Sequence, residues 1–479
     1  MSKLVAGVDC STQSTKVVVV DAATGEVAAS GRSEHIVSGT GGARETDPEI
    51  WWTALRDALT ATGLAGEVHA IAVAGQQHGL VCLDGRGRAL RSSILWNDTR
   101  SAADAADLVT AYGGPGDWAS RIGVVPVASF TASKWAWLRR NEPAVAARTR
   151  AIRLPHDYLT EKLCGAAVTD RGDASGTAWW STAAEAYSSE VLALPALQLS
   201  AELLPQVLGP REPAGEVTAA ASRILGVPQG VVVGPGTGDN MASALGLGVG
   251  PGTPVVSLGT SGTVFAVSET RPVDPSGLVA GFADATGRYL PLACTLNCTL
   301  AVDRMASWLS LDREDVAPSD GVVVLPWFDG ERTPNVPDAA AAFFGMRHAT
   351  DPRSILMAGY EGAIAGILDA LSLIDSCSSG IASDAPLVLV GGGARGKAWR
   401  EVAQRLSGRP ISVPDNTDLV AIGAAVQAAS ILLGEPAAET AARWRTDRGV
   451  IMEAVLPDTR TMDRFRSTRR LALEAVQSQ

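Results

Sequence analysis

Short apolar runs separated by small polar turns dominate the first hundred residues. The predicted strands cover residues 4–8, 16–20, 27–30, 68–73 and 93–96. A helix is predicted to begin with Asp47 as its N-cap and Pro48 at its first position, and apolar residues recur from Trp51 to Leu59. Strands that alternate with a helix in this way indicate an α/β domain.

The opening pattern occurs a second time in the middle of the chain. Residues 254–257 and 263–267 are apolar or β-branched, and the turn LGTSG separates them. Repetition of one strand–turn–strand unit suggests two related domains that face each other. The glycine-rich residues 246–254 coincide with the start of the repeat. We therefore place the boundary there, with domains at residues 1–245 and 246–479.

The end of the chain shows the same alternation of strands and helices. A strand at residues 386–390 leads into the turn GGGARG, and a helix begins near Lys397. A strand at residues 410–413 and a helix at residues 419–433 follow. The second domain is therefore also predicted to be α/β.

Length and charge narrow the classes of function. A chain of 479 residues is too long to fold around one hydrophobic core, which agrees with two domains. The formal net charge of −11 argues against a nucleic-acid-binding protein, because affinity for a phosphate backbone needs a basic face. An anionic nucleotide stays compatible with that charge, since backbone N–H groups and a metal ion supply positive potential locally.

The cysteines, the first residues and the lengths of the apolar runs predict the cellular compartment of the protein. Six scattered cysteines without a CxxC pair, together with only five histidines, argue against a structural zinc site. The first residues turn polar too soon for a signal peptide, and no apolar run approaches the roughly 20 residues of a membrane span. We therefore expect a cytoplasmic protein with reduced thiols and no membrane partner. The oligomeric state stays open, and a homodimer is one option.

Two turns rich in glycine or hydroxyl groups are candidates for holding phosphates. VDCSTQSTK places Asp9 at a strand end, ahead of hydroxyls and exposed N–H groups, which suits Mg²⁺ and nucleotide phosphates. The alternative is a hairpin whose polar residues only satisfy the turn. LGTSGT offers a matching loop from the other domain, so the two hairpins would close on a triphosphate. The candidate residues are Thr12, Gln13, Ser14, Lys16, Gly259, Thr260 and Ser261.

Two further segments are candidates for catalysis and nucleotide binding. GDNMASALG presents Asp239 and Asn240 ahead of a helix, and Asp239 is either an N-cap or a general base for an attacking hydroxyl. In VLVGGGARGK a strand feeds a glycine turn that lets the backbone approach a nucleotide, at Gly392, Gly393 and Ala394. The turn lacks the GxGxxG spacing and no GxxxxGK[ST] loop occurs, which disfavours dinucleotide and P-loop sites.

Two polar segments that follow predicted strands suit a polyhydroxylated substrate. AGQQHG carries Gln77 and His78, and ILWNDTR carries Trp96 and Asp98. Polar residues at strand ends gather where α/β clefts form. Amide, imidazole and carboxylate groups bind hydroxyls, and an aromatic face covers a carbon skeleton. The alternative for a lone histidine at a strand end is a structural role.

Taken in order, these segments resemble the FGGY carbohydrate kinases over nearly the whole chain. SFTASKWAWLRRNE fits the first signature of that family through Thr131, Lys134 and Trp137. AAFFGMRHATDPRSILMAGYEG resembles the second signature, with departures at Ser354 and Gly359. The resemblance implies an α/β fold of two ribonuclease H-like domains, of the actin/hexokinase/sugar-kinase type, around a central cleft.

The resemblance also implies ATP and Mg²⁺ as cofactors and a role for each segment. Asp9 and Asp239 would lie on the metal side of the phosphates, and Asp239 would be the catalytic base. Thr12 would line the path of the phosphates. Thr260 and Ser261 would approach the β- and γ-phosphates, while residues 391–394 would lie along the nucleoside.

The same resemblance points to a class of acceptor. Members that phosphorylate xylulose carry GQMHG where this chain has GQQHG, with Gln77 in place of methionine. Members that phosphorylate glycerol carry an Arg-Glu pair in this region. A ketopentose is therefore expected, most of all D-xylulose. The alternatives are another pentulose, a tetritol, glycerol, or an actin-like ATPase that is not a kinase.

Overall fold

The computed structural model describes residues 3–477 and contains two seven-stranded mixed sheets. The strands of the first half are β1 Leu4–Cys10, β2 Ser14–Asp21, β3 Val27–Glu34, β4 Glu45–Thr46, β5 Val68–Gly75, β6 Val81–Leu83, β7 Ser93–Ile94, β8 Ala151–Arg153, β9 Val168–Asp170, β10 Trp180–Ser181, β11 Ala186–Tyr187, β12 Gln206–Leu208, β13 Gly215–Glu216, β14 Val232–Val233 and β15 Thr237–Gly238. Its helices are α1 Pro48–Thr62, α2 Ala102–Ala111, α3 Pro115–Arg121, α4 Thr131–Asn141, α5 Pro143–Arg148, α6 Pro155–Cys164, α7 Arg171–Ser175, α8 Ser189–Leu192, α9 Ala219–Leu225 and α10 Asp239–Leu247.

The second half contains the remaining elements. Its strands are β16 Pro254–Leu258, β17 Gly262–Ala266, β18 Ala280–Ala283, β19 Tyr289–Thr295, β20 Val323–Leu325, β21 Ala342–Phe344, β22 Leu387–Val390, β23 Ile411–Pro414 and β24 Gly449–Met452. Its helices are α11 Thr299–Leu309, α12 Pro352–Cys377, α13 Lys397–Ser407, α14 Leu419–Leu433, α15 Ala437–Trp444 and α16 Thr459–Gln477.

The two sheets repeat one topology. In the first, the order β3-β2-β1-β5-β14 joins three antiparallel strands to two strands parallel to β1. In the second, the order β19-β17-β16-β22-β23 has the same directions. This strand order is that of a ribonuclease H-like domain. The predicted α/β repeat of the actin/hexokinase type is therefore confirmed.

The register of the first sheet brings several strand ends to one edge. Asp9 lies opposite Ala74 in the parallel pair of β1 and β5. Gly75, the last residue of β5, lies opposite both Cys10 of β1 and Gly238 of β15. The segments that follow β1, β5 and β15 therefore leave the sheet side by side, as expected for a cleft at the carboxyl ends of strands.

Helix α14 from the second half packs on the first half. An added Cβ at Gly423 would lie 1.9 Å from the carbonyl oxygen of Ala242, and one at Gly246 would lie 2.0 Å from that of Leu419. Helices α10 and α14 therefore touch backbone to backbone, which only glycine permits. Because α10 continues to Leu247, it runs through the predicted boundary between residues 245 and 246, and that boundary stays a prediction.

Two expectations need correction. The strand predicted at residues 93–96 ends at Ile94, because a turn begins at Leu95, whose carbonyl accepts the Asp98 N–H. Helix α12 is long and apolar enough to cross a membrane, contrary to the expectation that no run would approach that length. However, 83% of its most apolar window is buried, so it is the central helix of the second core.

Candidate functional site

Asp239 is the first residue of α10 and follows the short strand β15 directly. Its Oδ1 accepts two hydrogen bonds from Asn240, from the backbone N at 2.8 Å and from Nδ2 at 3.0 Å. Burial raises the pKa of the Asp239 carboxyl to about 7, and the charges of Asp9 and Asp173 add to that rise. A carboxyl with a pKa near neutrality suits a general base that must take up and release a proton.

Asp9 lies near the end of β1, close enough to Asp239 for its charge to raise the pKa of that residue. Burial raises the pKa of its carboxyl to about 6, and a hydrogen bond from Ser11 Oγ at 2.5 Å opposes the rise. The negative charge of Asp418, from the second half, also raises the pKa of Asp9. Asp9 therefore faces the space between the two halves as well as Asp239.

His78 follows β5 and has a left-handed backbone, with φ of 65°. Its Nδ1 donates to the carbonyl of Gly176 at 2.8 Å. Burial lowers the pKa of the imidazole well below its ordinary value, and the charge of Lys134 lowers it further. The ring is therefore neutral at pH 7, with Nδ1 as donor and Nε2 as an acceptor for a hydroxyl group.

Aromatic rings from both halves surround His78. The ring of Phe130 lies edge-on to the imidazole at 4.8 Å between centroids, and that of Phe282, from β18, lies at 5.7 Å. Arg332 of the second half also lowers the pKa of His78, after burial and Lys134. Both halves thus contribute to the surroundings of this histidine, as expected for a cleft between domains.

Lys134 supports His78 from α4, although the sequence analysis gave it no role. Its fully buried Nζ donates to the carbonyl of His78 at 3.1 Å and also contacts the carbonyl of Ser129. Thr131 Oγ1 donates to the same His78 carbonyl at 3.2 Å. These contacts fix the unusual backbone of His78 and place the two signature residues Thr131 and Lys134 behind the AGQQHG segment.

Trp96 and Asp98 lie in different surroundings. Trp96 is 43% exposed, and its Nε1 donates to Thr12 Oγ1 at 3.0 Å, which joins the ILWNDTR segment to the first hairpin. Asp98 is buried and accepts hydrogen bonds from the backbone N atoms of Arg44 and Arg100 and from the Arg100 guanidinium. Burial alone would raise the pKa of Asp98, but these hydrogen bonds keep it below its ordinary value. This geometry favours a positioning role for Asp98 over direct contact with a sugar.

The first hairpin is a tight turn between β1 and β2. The N–H of Ser11 donates to the carbonyl of Ser14 at 3.0 Å, and the intervening Gln13 is exposed. Lys16 Nζ donates to Asp418 Oδ1 at 2.7 Å, so the cation joins the first half to the start of α14. Ser14 is buried, which leaves the tip at residues 12–13 as the part of this hairpin that can meet a ligand.

The second hairpin joins β16 to β17 and is held by the start of α11. Thr299 donates to the carbonyl of Gly259 through its N–H at 3.0 Å and its Oγ1 at 2.8 Å. Thr260 is exposed and Ser261 is half-buried at the tip. Among residues 3–477 no hydrogen bond joins this hairpin to the first one.

The glycine turn after β22 packs on the second hairpin. An added Cβ at Gly391, whose φ is 84°, would lie 2.9 Å from the carbonyl oxygen of Leu258. An added Cβ at Gly392 would meet no atom within 4 Å, so this residue borders open space. Gly393 and Ala394 are buried. Of the three predicted residues, only Gly392 is thus open to a nucleoside, and the other two support the turn.

One histidine and three aspartates form a buried group near Asp239 that the sequence analysis missed. His156 Nδ1 lies 2.8 Å from Asp173 Oδ2, and His156 Nε2 lies 3.2 Å from Asp157 Oδ1. Asp170 accepts a hydrogen bond from Thr237 Oγ1 at 2.7 Å, two residues before the base. Burial alone would lower the pKa of His156, but the three carboxylates raise it to about 9. The spacing of TDRGDASGT gave only a weak signal for this group.

The carboxylates present fit a magnesium ion that arrives with phosphates. Mg²⁺ is usually bound through one or two carboxylates, water and substrate phosphates, without a cage made of protein ligands alone. Asp9 and Asp239 supply two carboxylates close enough for one charge to raise the pKa of the other. Across residues 3–477 no three metal-ligating side chains converge to form a preformed site.

Comparison with known proteins agrees with this arrangement. The N-terminal domain of the FGGY family of carbohydrate kinases matches residues 4–246, and its C-terminal domain matches residues 255–432. The xylulose kinases of Streptomyces coelicolor (strain ATCC BAA-471 / A3(2) / M145) and Streptomyces rubiginosus are each 55% identical to this chain, over 464 and 463 residues. Each match covers 96% of this chain and 95% of the relative.

A solved structure shows the same likeness. The crystal structure of xylulose kinase from Bifidobacterium adolescentis superposes with a TM-score of 0.86 at 37% identity. The match covers 98% of this chain and 99% of that one. These matches, over both domains, identify the protein as a carbohydrate kinase. This chain belongs to the FGGY family of carbohydrate kinases, and sugar kinases of this family use ATP as the phosphate donor.

Proposed function

We propose that this protein phosphorylates D-xylulose with Mg²⁺-ATP and forms D-xylulose 5-phosphate. One observation carries the proposal: Asp239 is half-buried with a pKa raised to about 7 by burial and by the charge of Asp9, and the residue before it, Gly238, packs on Gln77. The relatives at 55% identity are named xylulose kinases, which supports this ketopentose as the acceptor.

The residues of this chain take distinct parts in the reaction. The neutral imidazole of His78 accepts a hydrogen bond from a sugar hydroxyl through Nε2. Asp239 accepts the proton of the C5 hydroxyl as its oxygen attacks the γ-phosphorus in line. The bond between that phosphorus and the β,γ-bridging oxygen breaks, and ADP leaves. Kinase catalysis depends mainly on positioning and on charge stabilisation, which requires a single base of this kind.

Asp9 and the two hairpin tips act on the phosphate side. Magnesium, bound with the nucleotide, offsets the negative charge of the phosphates. Asp9 would hold the hydrated ion, and Thr260 and Ser261 would donate to the β- and γ-phosphates. Closure of the two halves excludes water, which otherwise competes with the sugar as acceptor.

A panel of acceptors tests the proposal. ADP release is measured by a coupled assay with D-xylulose, other pentuloses, tetritols, glycerol and no acceptor. We expect D-xylulose to give the highest kcat/KM and the rate without acceptor to be a small fraction of it. A higher kcat/KM for another polyol would overturn the choice of acceptor. ATP consumption independent of any sugar would instead indicate an actin-like ATPase.

A further inference from the structure

Gln77 is buried beneath the segment that carries the base. Only 4% of the residue is exposed. Its Cγ, Cδ and Nε2 atoms lie 2.7, 2.9 and 3.0 Å from the point that a Cβ on Gly238 would occupy. The side chain therefore lies against the backbone of the residue that precedes Asp239. This placement differs from the sequence expectation that Gln77 contacts the sugar.

The polar end of Gln77 is bonded to Asn240. Gln77 Oε1 accepts from Asn240 Nδ2 at 2.9 Å, and the same Nδ2 donates to Asp239 Oδ1 at 3.0 Å. Both hydrogens of the Asn240 amide are thereby used. The Asn240 backbone N also donates to Asp239 Oδ1, at 2.8 Å. In the described part of the chain, no side chain other than that of Asn240 donates to the Asp239 carboxylate, and Asn240 bonds to Oδ1, so Oδ2 is the oxygen left to accept a proton.

The orientation of both amides follows from the charges at each end. A carboxylate accepts hydrogen bonds, so Asn240 must present its Nδ2 to Asp239, and Gln77 must present its Oε1 to Asn240. The Nε2 end of Gln77 then faces Asp173. Burial raises the pKa of the Asp173 carboxyl, while His156 and the Gln77 amide oppose that rise. His156 Nδ1 holds the other side of Asp173 at 2.8 Å.

From this geometry we propose that Gln77 is a positioning residue for the base. It holds Asn240, and Asn240 fixes the Asp239 carboxylate so that Oδ2 faces the sugar hydroxyl. Among the described residues Gln77 Nε2 makes no hydrogen bond of its own, so the close packing of the side chain against Gly238 keeps Gln77 in place. The inference rests on the proposed function, in which Asp239 is the base. A positioning role differs from a sugar-binding role, because substitution of Gln77 then lowers the rate of phosphoryl transfer and leaves the affinity for the sugar unchanged.

The first test replaces Gln77 with leucine, which is apolar and of similar size but cannot accept the hydrogen bond from Asn240. We expect kcat of Gln77→Leu to fall about tenfold to hundredfold, because a misplaced reacting group has effects of that order. The dissociation constant of D-xylulose, measured by titration calorimetry, should stay within about threefold of wild type. Gln77→Ala repeats the test if the leucine variant does not fold. Gln404→Met removes a hydrogen bond to the Glu453 carbonyl far from the base and should leave kcat unchanged.

A double substitution tests whether Gln77 acts through Asn240. If it does, kcat of Gln77→Leu/Asn240→Ala equals that of Asn240→Ala alone, because substitutions of two residues in one chain of contacts are not additive. Additive losses, an unchanged kcat in Gln77→Leu, or a tenfold weaker D-xylulose complex would each overturn the proposal. If the acceptor panel selects another sugar, the proposed substrate is wrong, and the same comparison is made with that sugar.

Discussion

At the scale of single residues, the chemistry depends on the charge state of Asp239. Its carboxylate lies close to two other acidic groups, Asp9 and Asp173, in surroundings that exclude much of the solvent. Both effects favour the protonated form, so the pKa of Asp239 is raised to about 7. A residue with an ordinary aspartate pKa, about 4, would remain charged throughout the neutral range. Asp239 instead changes its charge near neutral pH.

This shift predicts a pH dependence of turnover. A general base acts in its deprotonated form, so kcat/KM for D-xylulose should level off above about pH 8 and fall about tenfold per pH unit below about pH 6. Protonation of Asp9, whose pKa is raised to about 6, should steepen the fall at lower pH. The measurement is a pH profile from 5.5 to 8.5, with the coupling enzymes in excess at every pH. A flat profile over this range would show that Asp239 has no raised pKa in the working enzyme.

Several residues of the site could be predicted from the sequence, and others could not. Asp9 and Asp239 stand out because each follows a strand-like run within a distinctive turn. Lys134 and His156 do not stand out in the same way, because their partners lie far away in sequence. Lys134 bonds to the carbonyl of His78, and His156 bonds to Asp173. Asp98 was recognised as polar and near a strand end, but its pairing with Arg100 appears only in three dimensions.

At the scale of elements, the hairpins and helices follow local patterns closely. Helix α14 spans Leu419–Leu433 as the apolar run predicts, and α1 begins after Asp47 with a proline at its first position. The short strands β7 and β15 were harder to predict, because two residues carry no period. The contact between α10 and α14 was also beyond prediction. Small residues in a helix indicate close packing without naming the partner.

This contact between helices predicts a stability difference between two similar substitutions. Gly423→Ala places a methyl group 1.9 Å from the Ala242 carbonyl oxygen and should lower the free energy of unfolding by about 1–3 kcal/mol. Gly366→Ala, inside α12, meets no atom within 4 Å and should raise it by about 0.5–1 kcal/mol. Urea unfolding of both variants beside wild type is the measurement. Equal effects of the two substitutions would contradict close packing of α10 on α14.

At the scale of the whole molecule, two repeats of one fold bring different chemistry to a common cleft. The first sheet brings Asp9, the AGQQHG segment and Asp239, to which we assign the metal, sugar and base roles, to a single edge. The second sheet carries the second hairpin and the glycine turn. Lys16 and Asp418 form an ion pair between the halves, and Phe282 of the second half lies against His78 of the first. The repeat of strand–turn–strand units predicted this arrangement, whereas the contacts between the halves required the structure.

The most direct test of the account is the turnover of Asp239→Asn with saturating D-xylulose and Mg²⁺-ATP. Asparagine keeps the size of the side chain but does not accept a proton at neutral pH. The account predicts that kcat falls by about 10²–10⁴ while D-xylulose still binds and the variant unfolds at a temperature close to that of wild type. A folded Asp239→Asn enzyme with the kcat of wild type would contradict the assignment of Asp239 as the base.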